Sequence, residues 1–101
     1  MKKHEKLPES FQRALWSYDI SKIDYKKDKR EVITQVLNHG DWQDIKKLFG
    51  LYSEEEIREV IKNPRRGVWF EKVLNFWCKM FNTNLRKEIY QKAIFRINPE
   101  L

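Results

Sequence analysis

Apolar residues recur along the chain at helical spacing, in six stretches, and no stretch alternates as a half-buried strand would. LPESFQRALW opens the first, with Pro8 near a helix start and Phe11, Ala14 and Leu15 on one face. Residues 19–24 form a joint, and Asp24 is a suitable N-cap for the next helix, whose stripe is Tyr25, Val32, Ile33, Val36 and Leu37. Gly40 stands where a C′ glycine ends a helix. Asp41 then caps a third helix, with Trp42, Ile45, Leu48 and Phe49 as its apolar face and Gly50 as its stop. Ser53-Glu54-Glu55-Glu56 matches a capping box, Ile57, Val60 and Ile61 make the buried face behind it, and Asn63-Pro64 stops the helix.

The fifth stretch, 68–81, differs in kind. Trp69, Phe70, Val73, Leu74, Phe76, Trp77, Met80 and Phe81 cover most of its circumference, leaving Glu71, Asn75 and Lys79 as a narrow polar stripe. A helix apolar on most sides is one that others pack around. The last helix, from 85 to about 96, turns Leu85, Ile89, Tyr90, Ala93 and Ile94 inward. The pattern predicts one all-α domain over 1–101, five to six short helices around a central apolar helix at about 68–81, with 1–6 and 97–101 frayed.

The 101 residues include only three Gly and three Pro, which suits helices with short joints. Cys78 is the lone cysteine, so no internal disulfide forms, in keeping with a reducing, cytoplasmic setting. MKKHEKLPESF has no apolar run behind it and does not read as a secretory signal, and no window is long and apolar enough to span a membrane.

Charge sharpens the picture. The net charge is +6, unevenly placed: Glu54, Glu55, Glu56 and Glu59 face Arg58 alone, whereas nine lysines and arginines after residue 61 face Glu71, Glu88 and Glu100. A basic C-terminal part suits nucleic acid or an acidic protein surface, and equally a solvated face. GDWQDIKKLFGLYSEEEIREV resembles a helix-turn-helix in outline, but a reading helix sets its first residues against base edges between phosphates. Three glutamates there have the wrong sign. Helix 68–81 fails as a reader because its side chains belong to the core. Phosphate binding without sequence reading needs only patches such as Lys62, Arg65 and Arg66, or Lys26, Lys27, Lys29 and Arg30.

Catalytic chemistry finds no footing. His4 and His39 share no helical face with a second ligand at metal spacing, so neither a metal nor a cofactor is expected. Cys78 reads as an inert core thiol, and no phosphate-binding or nucleophile-elbow motif occurs. Asp24/Asp28 and Asp41/Asp44 read as caps rather than an acid–base pair. Of the four tryptophans, Trp69 and Trp77 fit the core helix and Trp42 the inner face of its own. Trp16 has two readings, closing the core edge or standing out as a protein-binding anchor beside Arg13 or Lys22.

Several features occur together: Leu7-Pro8 with Phe11 and Trp16, Asp19 and Asp24, VLNHGD (36–41), an aromatic before Tyr52-Ser53, EEIREVI (55–61), and Arg65-Arg66 followed by NFW (75–77). In these the chain resembles a family of small uncharacterised prokaryotic helical proteins, often encoded beside a nucleotidyltransferase of the abortive-infection toxin type. It departs from that pattern at VWFEKVL (68–74), which is bulkier. The resemblance implies a non-enzymatic, antitoxin-like partner of such a toxin. A nucleotidyltransferase site is lined with carboxylates, so a basic cover of Lys62, Arg65, Arg66, Arg86 and Lys87, with Trp16 as an apolar anchor, would suit it. The competing expectation is a nucleic-acid-binding regulator using the same basic patch.

Overall fold

Backbone hydrogen bonds, more than apolar spacing, decide where each helix begins. In a computed structural model, describing residues 7–95, the first stretch is a 3-10 turn, Glu9–Gln12, followed by further turns to residue 17. The Gln12 side chain explains why no α-helix continues. Its amide donates to the Leu15 and Tyr18 carbonyls (3.0 and 2.6 Å), and its oxygen accepts the Ile20 N–H (3.4 Å). Those bonds fold the chain back on itself. Phe11, Ala14 and Leu15 are buried nonetheless.

A second 3-10 turn, Ile20–Lys22, is capped by the Asp19 carboxylate, which accepts the Ser21 N–H. Asp24 caps a turn rather than the expected helix: its Oδ1 accepts the Lys26 and Lys27 N–H groups, both at 2.8 Å. The Asp28 carboxylate in turn accepts the Asp24 N–H (2.8 Å). Helix α1, Lys29–His39, therefore starts five residues beyond Asp24. It buries Val32, Ile33, Val36 and Leu37, and Tyr25 lies outside it.

Gly40 ends α1 in an extended conformation (φ −77°), not the left-handed one expected of a C′ glycine. Space is the reason for glycine here. A Cβ would lie 2.8 Å from the Val36 carbonyl oxygen and 2.9 Å from the Asp44 Cβ. Helix α2, Trp42–Leu51, follows at once and packs on α1. Asp41 and Asp44 form a reciprocal capping box: Asp41 Oδ1 accepts the Asp44 N–H (2.9 Å), and Asp44 Oδ2 accepts the Asp41 N–H (3.1 Å). Gly50 sits inside α2 instead of ending it.

The described residues divide into two compact units between Glu54 and Glu55. Across the end of the first, Tyr25 stacks on Tyr52 (centroids 4.8 Å apart, planes at 14°). Each phenol also bonds backbone beside the other: Tyr25 to the Leu51 carbonyl, Tyr52 to the Tyr25 carbonyl (2.9 Å).

The second unit takes up most of α3, Glu54–Lys62, which buries Ile57, Val60 and Ile61 and stops before Asn63-Pro64 as expected. Helix α4 spans Glu71–Met80, starting three residues later than the pattern suggested. The preceding segment is extended, and Trp69 forms an isolated parallel bridge with Ile94. Trp69 N–H donates to the Ala93 carbonyl (2.9 Å), and Phe95 N–H donates to the Trp69 carbonyl (2.7 Å). Within α4, Leu74, Trp77 and Cys78 are buried, while Phe76 and Met80 are exposed. Asn82 takes the left-handed conformation (φ 54°), and the Thr83 N–H reaches back to the Cys78 carbonyl (2.8 Å). That five-residue reach is the Schellman closure of a helix end.

Helix α5, Lys87–Ala93, is short and inserts Ala93. Ile94 follows it into the core, while Ile89, expected inward, is exposed. The fold is all-α, with five α-helices and no strand among the described residues. Among them, no helix is long and apolar enough to cross a membrane. His4, Arg96 and the tail at 97–101 lie outside the described residues.

Candidate functional site

Five of the six candidate residues fall in the second unit. Lys62 is the last residue of α3, exposed, where a cation complements the helix dipole. Pro64 turns the chain, leaving Arg65 half-buried and Arg66 exposed. Gly67 then takes φ +73°, a conformation that L side chains rarely adopt. Its N–H donates to the Lys92 carbonyl (2.9 Å), so the Arg65–Arg66 turn is tied to the end of α5.

That tie groups Arg66 with Lys92 rather than with Arg86 and Lys87. Arg86 is the N-cap of α5 and Lys87 its first residue, both exposed. Five residues of helix separate Lys87 from Lys92, about 7.5 Å of rise. The basic side chains thus bracket α5 instead of converging at one end. Lys92 belongs with Arg66, and the pattern of the sequence does not single it out, because the bond that places it joins residues far apart in the chain. Only a long-range pairing of 67–69 with 92–95 could have signalled it. Lys62, Arg66, Arg86, Lys87 and Lys92 make no ion pair among the described residues.

Trp16, in the first unit, is 75% exposed, which removes its reading as the closing edge of the core. Arg13, one turn before it, does not sit over its ring. The guanidinium instead reaches Asp41 Oδ2 (3.3 Å) and Asp44 Oδ2 (3.4 Å), holding the first turn against the start of α2. The Asp44 N–H first, and after it the Arg13 guanidinium, hold the Asp41 carboxyl below its usual range against an opposing desolvation that outweighs the Arg13 charge alone. Trp42 corrects another expectation: it is 62% exposed, because the buried face of α2 runs through Asp44, Ile45 and Leu48. Trp69 and Trp77 are buried as expected, although Trp69 reaches the core from the extended segment.

A polar cleft of about 360 Å³ opens at the end of α4, lined by Asn75, Cys78, Lys79, Asn82, Asn84 and Tyr90 among others. Burial pushes the Cys78 thiol up, so it stays protonated near neutrality and is a poor nucleophile. Lys79 lines the same cleft without activating it. Among the described residues, no three His, Cys, Asp or Glu side chains converge as a metal-binding group.

Glu54 and Glu55 are exposed in the first turn of α3, where a reading helix would meet bases, and their sign opposes phosphate. Arg58, midway along that helix, has its guanidinium carbon 5.5 Å from the Phe81 ring centroid.

No curated protein and no solved structure matches the chain. A family model does, over residues 11–61, taking in Trp16, all of α1 and α2, and α3 up to its penultimate residue. The basic residues 62–92 lie beyond the match. With half of its 101 residues matched, the chain belongs to the family of unknown function DUF6922.

Proposed function

We propose that the protein is a non-enzymatic interaction module of the prokaryotic cytoplasm, an antitoxin-like partner of a nucleotidyltransferase-type toxin. One observation carries the reading: Lys62, Arg66, Arg86, Lys87 and Lys92 stand exposed on one unit, with no carboxylate of the described chain paired to them. Exposed cations on one unit without a paired carboxylate create a positive potential that an acidic partner complements. A carboxylate-lined catalytic cleft offers that surface. On the other unit, and taken by itself, the exposed Trp16 ring is an aromatic side chain of the kind common at protein interfaces. Cys78, the only thiol, stays protonated and gives no support to a catalytic role.

A second reading, a regulator binding nucleic acid through the same cations, is weakened by exposed Glu54 and Glu55 but needs no base reading. Recovery of the tagged protein from native lysate, with and without nuclease, separates the two. A near-stoichiometric nucleotidyltransferase that survives nuclease supports the first, and reversing Arg66 and Lys62 to glutamate then weakens the complex. Partners lost on nuclease treatment, with affinity falling log-linearly in salt, support the second. An unchanged affinity for the toxin after charge reversal would remove the basic cluster from the interface.

A further inference from the structure

The polar cleft at the end of α4 is lined by side chains that the fold itself leaves unused. The left-handed turn at Asn82 and the bond from the Thr83 N–H to the Cys78 carbonyl bring residues 82–84 back toward the last turn of α4. Asn75 and Lys79, four residues apart on one face of that helix, line the same cleft. A left-handed backbone accounts for asparagine at 82. Nothing equivalent accounts for the other two. Asn84 caps no helix, since the N-cap of α5 is Arg86, and Asn75 sits inside α4, where many residues favour the helix more. All three carboxamides and Lys79 are exposed, and none makes a side-chain hydrogen bond or ion pair among the described residues.

The lining narrows the ligand. Among the described residues no carboxylate borders the cleft, and burial pushes the Cys78 thiol and the Tyr90 phenol up, so both stay protonated. Lys79 is the one charge there, which refuses a cation. A carboxamide sets a donor beside an acceptor in one plane. Its complement is a flat edge with the same pair reversed, as adenine presents at its exocyclic amine and N7. Guanine's Watson–Crick edge sets two donors side by side and calls for a carboxylate instead. Sugar hydroxyls likewise find no carboxylate to accept from them. Leu85 and the half-buried Tyr90 ring supply apolar surface for the faces of a base, and about 360 Å³ admits one nucleotide. The end of α4 is the negative end of a helix dipole and a poor seat for phosphate, so the base is the part held. We infer that this cleft binds an adenine base, carried by a free nucleotide or by an unpaired position of single-stranded RNA, through the carboxamides of Asn75, Asn82 and Asn84 with Lys79 beside them. The site uses none of Lys62, Arg66, Arg86, Lys87 and Lys92, so it goes beyond the reading built on those and stands independently of it.

The test is calorimetric titration of the full chain with AMP, GMP, ribose phosphate, glucose and an oligoadenylate of about ten nucleotides. AMP is expected to saturate one site at least about tenfold more tightly than GMP, ribose phosphate or glucose. Oligoadenylate bound a further tenfold or so more tightly makes RNA the source of the base, and equal or weaker binding makes it the free nucleotide. Occupancy should slow alkylation of Cys78, the only thiol, which lines the cleft. Asn84→Ala and Asn75→Ala should each weaken AMP by about tenfold, the second with Tm unchanged or higher because alanine favours the helix. Reversing Lys62 and Arg66 to glutamate should leave AMP binding intact, and its loss there would move the nucleotide from the cleft to the basic cluster. No saturation by AMP or oligoadenylate, equal binding of GMP, ribose phosphate or glucose, unslowed alkylation of Cys78, or full affinity in both asparagine variants would each overturn the inference.

Discussion

Two glycines ten residues apart have opposite reasons for being glycine. Gly40 is confined by the Val36 carbonyl and the Asp44 Cβ, whereas Gly50 opens onto empty space. Gly40→Ala should therefore lower stability by about 1–3 kcal/mol through overpacking. Gly50→Ala should raise it by up to about 1 kcal/mol through helix propensity. Urea unfolding of the two variants beside the parent measures both signs at once. Asp41 supplies a pH prediction. Its folded pKa is lowered, first by the Asp44 N–H and then by Arg13, so its stabilising contribution is present above the unfolded value, about 3.9. That contribution is lost as pH falls through the folded pKa. Asp41→Asn keeps a good N-cap without a titrating charge. Melting curves should show the variant below the parent at neutral pH and the gap closing under acid.

At the scale of elements, the boundaries set by chemistry were legible and those set by distant partners were not. The Asp41 cap, the Asn63-Pro64 stop and the buried faces of α1 and α3 are local devices, readable from spacing alone. The first stretch misled because a Gln12 side chain competes with the helix for backbone carbonyls, which no periodicity records. The apolar run of 68–81 continues smoothly through Trp69 and so predicts helix throughout. A backbone pairing with residues 93–95 overrides it. The same pairing fixes Lys92 beside the Arg66 turn, so the site was legible as a charge and not as a shape. Phe95→Pro tests the pairing, since it removes the N–H given to the Trp69 carbonyl while Ile94 (φ −76°, ψ 131°) already suits a following proline. A loss of about 1 kcal/mol is expected relative to Phe95→Ala, which gives up only the ring contact with Phe70.

At the scale of the molecule, the aromatic residues divide into a buried set and a displayed one. Trp69 and Trp77 are 0% and 5% exposed, against 75% and 62% for Trp16 and Trp42. Aromatic content alone suggested a large core, and the phase of α2 and the bend at Gln12 decide which rings stay outside it. Acrylamide should quench native fluorescence in two classes, and replacing Trp16 and Trp42 together by phenylalanine should remove the accessible one. A single quenchable class in the parent would contradict this division of the rings.

The paired tyrosines of the first unit also have a consequence for time. Tyr25 precedes α1 and Tyr52 follows α2, so their stack and crossed hydrogen bonds close a loop around both helices. Bringing the two ends together pays a loop-closure entropy that falls sharply once the helices have shortened the span. The clasp should therefore form after the helical pair and open before it separates. An interaction made late stabilises the folded state without stabilising the transition state. Tyr52→Phe keeps the rings and loses one hydroxyl bond, and stopped-flow traces should show faster unfolding with refolding nearly unchanged. The clasp would then govern how long the folded unit lasts more than how quickly it forms.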